Sequence, residues 1–266
     1  MRTEFLRSDY FTHSGVSLAG KNWINEKLRN DGFSWISGKQ YYLTETMQDS
    51  WCEMRSAWDR LVSDRYLSDG GSYRERRMGK YHFFPSRDRL EKQDVEGIYY
   101  QATSINATNG GVKRKSGPLE PAFANNPLLH SLIRLYYTLL PVPDEWHEQS
   151  WLIYVHPFRI LADSNMVGYP TPEGIHRDGH LFTVQIFVCK ENVVEDSAES
   201  QIWSQDERSL LFAKTFQYPL DTLVINDERV KHYVTPLFAS GSGRGKRDIF
   251  TINFNLLSNN LPTKMY

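Results

Sequence analysis

Apolar residues recur along this chain in two rhythms, and the change between them divides it. In the first half the spacing is three or four residues, which puts side chains on one face of a helix. Trp23, Ile24, Lys27 and Leu28 have that spacing, and Asp31-Gly32 can stop the helix. Met47, Trp51, Met54, Trp58 and Leu61 form a longer stripe, capped by Thr44 or Thr46 and running to about Tyr66. Asn126-Pro127 opens a third helix through Leu128, Leu129, Leu132, Ile133, Leu135 and Tyr136, and Pro141 ends it. The Trp and Met residues of these stripes read as core packing.

From Trp151 onward the runs shorten and lose the helical period. Residues 151–162, 181–189, 202–203, 210–216 and 220–225 read as strands separated by turn signals. Earlier strands are expected at 33–36 and 98–102, with a turn-rich stretch at 106–117. Short strands of this kind imply a closed or double-sheet β architecture. The fold class expected is α+β, mainly β. One domain spans 1–266: an N-terminal arm at 1–30, helices and first strands at 31–150, and a β core at 151–257.

Composition narrows the function classes. There are 31 basic and 32 acidic residues, a net charge of −1, so no basic field for nucleic acid exists. The two cysteines, Cys52 and Cys189, cannot build a disulfide framework and suit a reducing compartment. No apolar run reaches the ~20 residues that span a bilayer, and residues 1–9 carry charges throughout. A cytoplasmic protein is expected, with no membrane and no nucleic-acid partner.

The stretch that carries chemistry is Pro172-Glu173-Gly174-Ile175-His176-Arg177-Asp178-Gly179-His180. His176 and Asp178 are two apart, so in an extended chain both side chains leave on one face. An imidazole, a carboxylate and one further His make the facial triad of non-haem Fe(II) oxygenases, which leaves three metal positions open. His232 is the candidate third ligand, 54 residues after Asp178 (232 − 178). His180 is its competitor, because His176-x-Asp178-x-His180 could form a local zinc site. Arg247 follows His232 by 15 residues (247 − 232). Iron oxygenases of this kind usually take 2-oxoglutarate, whose far carboxylate suits an Arg fork. With Pro236 ending one strand and a Gly-rich loop after it, the next strand is expected to return antiparallel. Arg247 would then sit opposite Thr235, ~10 Å along the strand from His232. Arg247, Thr251 and Asn253 share one face, and Phe250, Ile252 and Phe254 the other.

With these residues in view, the chain resembles the Fe(II)- and 2-oxoglutarate-dependent dioxygenases that hydroxylate free L-amino acids. That group includes bacterial L-isoleucine dioxygenase and pipecolic acid hydroxylase. The matching segments are 50–59, 69–77, 109–112 with 119–121, 156–159, 172–179, 230–236 and 247–249. The resemblance implies a double-stranded β-helix with helices outside its larger sheet. It also implies His176, Asp178 and His232 as iron ligands and Arg247 with Thr251 on 2-oxoglutarate. Related halogenases carry a small residue where this chain has Asp178, so hydroxylation with release of succinate and CO2 is implied. Two segments depart from the relatives: Ser197-Ala198-Glu199-Ser200 replaces Gly-Gly-Glu-Ser, and His156-Pro157 replaces His-Gln.

Substrate contacts are expected from Arg76, Arg77, Gln101 and Arg159. Alternation puts Arg74 and Arg76 on one face and Arg77 on the other; the charge run alone reads as a solvated face, and the resemblance implies that Arg76 or Arg77 enters the pocket. Arg159, inside an apolar strand, either lines the pocket or pairs with Asp163 or Glu173. Two other functions fit the same residues: a small-ligand or metal-binding β-helix without turnover, and a peptide or protein hydroxylase.

Overall fold

A computed structural model describes residues 10–67, 69–94, 97–99 and 114–257. Gln101, most of the 98–102 strand and most of the 106–117 stretch lie outside the described residues. The elements that build the site are β1 (Phe33–Ile36), β2 (Arg74–Phe84), β3 (Trp151–Ala162), β4 (Phe182–Glu191), β5 (Ser200–Trp203), β6 (Leu210–Lys214), β7 (Thr222–Asn226), β8 (Lys231–Val234) and β9 (Gly245–Leu256). The larger sheet runs β1-β7-β4-β9-β3-β2, and the smaller runs β6-β5-β8. Three helices, α1 (Lys21–Asp31), α2 (Glu45–Arg55) and α3 (Pro127–Leu139), cover the outer face of the larger sheet.

Alternation along the strands makes both faces apolar in places. Val184, Ile186, Phe250, Ile252 and Phe254 pack with the helices in one core. Phe187, Leu223, Ile225 and Ile249 pack with Ile202, Phe216 and Val230 in a second core, between the sheets. Each such side chain contributes about 1.5–3 kcal/mol when fully buried. Asn126 caps α3 by accepting the N–H groups of Leu128 and Leu129, as its position before a Pro leads one to expect. Among the described residues no helix is long and apolar enough to cross a membrane.

The fold differs from expectation in three places. The N-terminal arm holds a hairpin, Tyr10–His13 with Val16–Ala19, ahead of α1; Ser14 and Gly15 turn it with φ of 43° and 85°. The second helix stops at Arg55 and continues as a 3-10 turn over Ser56–Arg60. Its Trp58 indole N–H donates to the Phe158 carbonyl at 2.9 Å. A 3-10 turn repeats every three residues, so the apolar stripe does not register the change.

The third difference concerns Arg247. Strand β9 does not return against β8. It pairs with β3 and β4, and Arg247 stands opposite Ile160 and Lys190. The connecting loop crosses between sheets, tied by backbone pairing of Leu237 with Gly168 and of Ala239 with Val193.

Candidate active site

His176 and His232 face each other directly. The His176 N–H donates to the His232 carbonyl at 3.0 Å and the His232 N–H returns the bond at 2.9 Å. This reciprocal pair stitches the 172–180 loop onto the edge of β8 and puts the two rings 4.3 Å apart. Asp178, two residues on, reaches both. Its oxygens lie 3.5 Å from His176 Nε2 and 3.6 Å from His232 Nε2. One ligand atom from each of the three lies within 4.8 Å of the others. His180 is not part of the cluster. Its Nδ1 accepts from the Asn255 amide at 2.8 Å.

Local contacts aim the ligand atoms. A carbonyl can only accept, so His176 Nδ1 donates to the Gly174 carbonyl, 2.9 Å away. In the neutral ring this leaves Nε2 as the lone-pair nitrogen facing the pocket, the form a metal needs. The Asp227 carboxylate, fully buried in the β7–β8 turn, receives the N–H groups of Asp178, Gly179 and His180 at 3.1, 2.8 and 3.2 Å. Gly179 makes this convergence possible, with φ of 82° that other residues resist. Asp227 also lies 3.9 Å from His232 Nδ1.

The electrostatics fit a cation. Burial opposes a charge on His176, but Asp178 and Glu173 outweigh it and lift its pKa to about 9. Burial and neighbouring His176 push His232 down to about 4. Asp178 resists burial because the surrounding imidazoles hold its carboxyl well below the usual range. Two imidazoles and one ionised carboxylate are the donor set of a divalent transition metal.

A cavity extends from this cluster over the inner face of the larger sheet, with an empty volume of about 780 Å³ including its open mouth. Arg247 lies in its wall, 2 % exposed. Its Nη2 donates to Ser200 Oγ at 3.4 Å, its guanidinium lies 5.3 Å from the Phe216 ring centre, and Nη1 has no partner among the described residues. Burial pulls this Arg down to about 10. A buried guanidinium without a carboxylate is expensive unless a ligand supplies one. Gln185 Oε1 and Asn253 Oδ1, on the same floor, also lack partners among the described residues.

A family model described as 2OG-Fe dioxygenase matches residues 55–253. The chain belongs to the 2OG-Fe dioxygenase family. It is 28% identical over 249 residues to the 3(1)-hydroxy-L-isoleucine 4-dioxygenase of Pantoea ananatis (strain AJ13355), covering 85% of this chain and 93% of that protein. It is 24% identical over 247 residues to the L-isoleucine-4-hydroxylase of Bacillus thuringiensis, covering 91% and 97%. Among solved structures, a BsmA homologue from Methylobium petroleophilum PM1 superposes with a TM-score of 0.76 at 28% identity, over 93% of this chain and 96% of that one. IDO from Bacillus thuringiensis superposes with a TM-score of 0.75 at 18% identity, over 96% and 100%, and shares the fold. The double-stranded β-helix expected from the sequence is therefore the fold observed. Dioxygenases of this family use Fe(II), 2-oxoglutarate and O2, and the donor set and the buried Arg247 suit the first two.

The expected substrate residues separate. Arg76 enters the cavity, and so does Arg74, which had been placed on its face but not in the site. Arg77 does not: it points away, donating to the Arg60 and Pro118 carbonyls and pairing with Glu120. Arg159 does not either. It binds both oxygens of Asp248 at 2.8 and 2.9 Å and reaches Asp59 at 3.5 Å. Asp248 stands directly opposite Arg159 across β3 and β9, a register invisible in the sequence. Thr251 lines the cavity opposite His156 and Gln185. Neither departure from the relatives lines this cavity: Pro157, Ser197 and Ala198 lie outside its wall, while the shared His156 lines it and the shared Ser200 holds Arg247. No sequence signal marks Asp227, and alternation gives Arg74 a face but no role in the site. Asp227 sits in a polar turn, where acids are common, and only the loop folded above it reveals its use.

Proposed function

We propose that this dioxygenase hydroxylates a C–H bond of a free aliphatic L-amino acid. We assign His176, Asp178 and His232 as the iron ligands and Arg247 as the anchor for the far carboxylate of 2-oxoglutarate. The observation that carries this is the buried Arg247 guanidinium, without a carboxylate partner among the described residues, in the same cavity as the His-Asp-His cluster. The names of the Pantoea ananatis and Bacillus thuringiensis relatives support the amino-acid substrate. Fe(II) with 2-oxoglutarate and O2 supplies the oxidising chemistry, in which one oxygen atom enters the substrate as hydroxyl and the other enters succinate as CO2 leaves.

The chain's own part is binding and exclusion. Arg247 fixes one end of the cosubstrate, with Ser200 steadying the guanidinium. Thr251, Gln185 and Asn253 offer polar groups along the floor. Phe158, Ile160, Val234 and Ile249 give the cavity its apolar wall and keep water from the reacting groups. No side chain is assigned as acid or base.

The test is a succinate-release screen over the free L-amino acids and a set of short peptides, with Fe(II), 2-oxoglutarate and O2. Hydroxylated product from an aliphatic L-amino acid, lost in His176→Ala and Asp178→Ala, is the expected result. Turnover confined to peptides would replace the substrate class. No substrate-dependent succinate from any compound would remove the enzymatic reading.

A further inference from the structure

The cavity carries charges that the metal and 2-oxoglutarate leave unused. On β2, Arg74 and Arg76 both line it, and both lean on one oxygen of Asp64: Arg74 at 2.7 and 2.9 Å, Arg76 at 2.9 Å. Asp64 Oδ1 is taken by the Tyr66 N–H at 3.1 Å. The two guanidiniums are thus held rigidly from behind by a carboxylate that does not line the cavity, and a positive wall results. Glu173 opposes it. Apart from Asp178, it is the carboxylate among the described residues lining the cavity. Its Oε1 lies 3.5 Å from His176 Nε2, and its charge also acts on Tyr73, the residue preceding β2. Glu173 therefore lies beside the ligand cluster and lines the same cavity as the two arginines.

We propose that these three side chains clamp the head of the substrate: Arg74 and Arg76 take the α-carboxylate and Glu173 takes the α-ammonium. The clamp rests on the reading of the substrate as a free amino acid. Each end of a zwitterion finds the opposite charge in a partly desolvated wall, where charge-assisted bonds are strongest. A residue inside a peptide has neither charge and offers no complement to the three groups. The clamp thereby selects free amino acids over peptides.

The experiment compares calorimetric affinities for L-isoleucine and for 3-methylpentanoate, which keeps the carboxylate and side chain but lacks the amine. Both are titrated into the Ni(II)-loaded protein with 2-oxoglutarate, where no turnover occurs. Glu173→Gln should weaken L-isoleucine about 10- to 100-fold, while 3-methylpentanoate changes by less than about 3-fold. Retained 3-methylpentanoate binding shows that the cavity is intact. Arg76→Gln should weaken both ligands alike. Equal weakening of both ligands by Glu173→Gln, or none, would overturn the ammonium contact. If a free amino acid is nevertheless hydroxylated in the succinate screen, the proposed function stands and only the clamp falls. If L-isoleucine does not bind and no free amino acid releases succinate, both fall.

Discussion

The Asp227 carboxylate accepts the backbone N–H of Asp178 at 3.1 Å, so one buried acid positions another across 49 residues of chain. It takes the next two N–H groups as well and faces Nδ1 of His232. A single side chain thus holds the backbone of one ligand-bearing residue and lies beside the ring of another. Asp227→Asn keeps the size but turns an N–H2 toward donors that need an acceptor. Its affinity for Fe(II) should fall about 10- to 100-fold, the usual loss when a supporting contact behind a metal ligand is removed. Anaerobic Fe(II) titration of wild type and variant checks this. Equal affinities would show that the loop holds its shape without Asp227.

Arg247 supports a second prediction. Arg247→Met removes the only strong partner proposed for the far carboxylate of 2-oxoglutarate. The KM for 2-oxoglutarate should rise about 10- to 100-fold, the worth of a charge-assisted pair. Arg247→Lys should recover part of the loss, because an ammonium keeps the charge but not the two-pronged geometry. Steady-state kinetics with varied 2-oxoglutarate, at fixed amino acid, separates the three proteins. An unchanged KM in Arg247→Met would remove Arg247 from the cosubstrate site.

Much of this site could be read without coordinates, and the reasons for the gaps are physical. Local period-2 spacing places His176 beside Asp178, and it sorts Arg247 and Thr251 from Phe250 and Phe254. Such facts need only neighbouring residues. Register between distant strands needs the whole fold. That is why Arg247 was expected opposite Thr235 and found opposite Ile160, and why Arg159 met Asp248 instead of Asp163 or Glu173. The choice between Arg76 and Arg77 was settled by which face of β2 turns toward the cavity. The hairpin at Tyr10–His13 escaped because four-residue strands carry too little pattern to stand out.

Metal binding should stabilise the folded chain, and only through the three assigned ligands. A metal that binds the native state alone raises its stability by RT ln(1 + [M]/Kd), about 2.7 kcal/mol at a hundredfold excess over Kd. Mn(II) is a redox-quiet probe. The wild-type melting temperature should climb with Mn(II) and fall back when a chelator removes it. His232→Ala and Asp178→Ala should show no such climb. A full Mn(II) response in His232→Ala would return His180 to consideration, although His180 Nδ1 is held by Asn255.

Acid should expose the strain behind the arginine wall. Burial pushes the Asp64 carboxyl up, but the charges of Arg74 and Arg76 and the Tyr66 N–H outweigh it and leave it below its ordinary value. A carboxyl with a lowered folded-state pKa stabilises the native state above its unfolded pKa, about 3.9. That stabilisation drains away as pH falls through the folded value. Asp64→Asn cannot make the charge at any pH, and at neutral pH it removes the carboxylate that two buried guanidiniums share, a loss of about 3–5 kcal/mol. The gap in unfolding free energy between wild type and Asp64→Asn should therefore be flat from pH 8 to about 5. Below about pH 4 it should narrow, because wild type then protonates Asp64 and comes to resemble the variant. Urea unfolding curves at steps between pH 8 and 2 measure the gap directly. A gap that widens in acid would mean that Asp64 is held neutral in the folded state, and that Arg74 and Arg76 take their support from elsewhere.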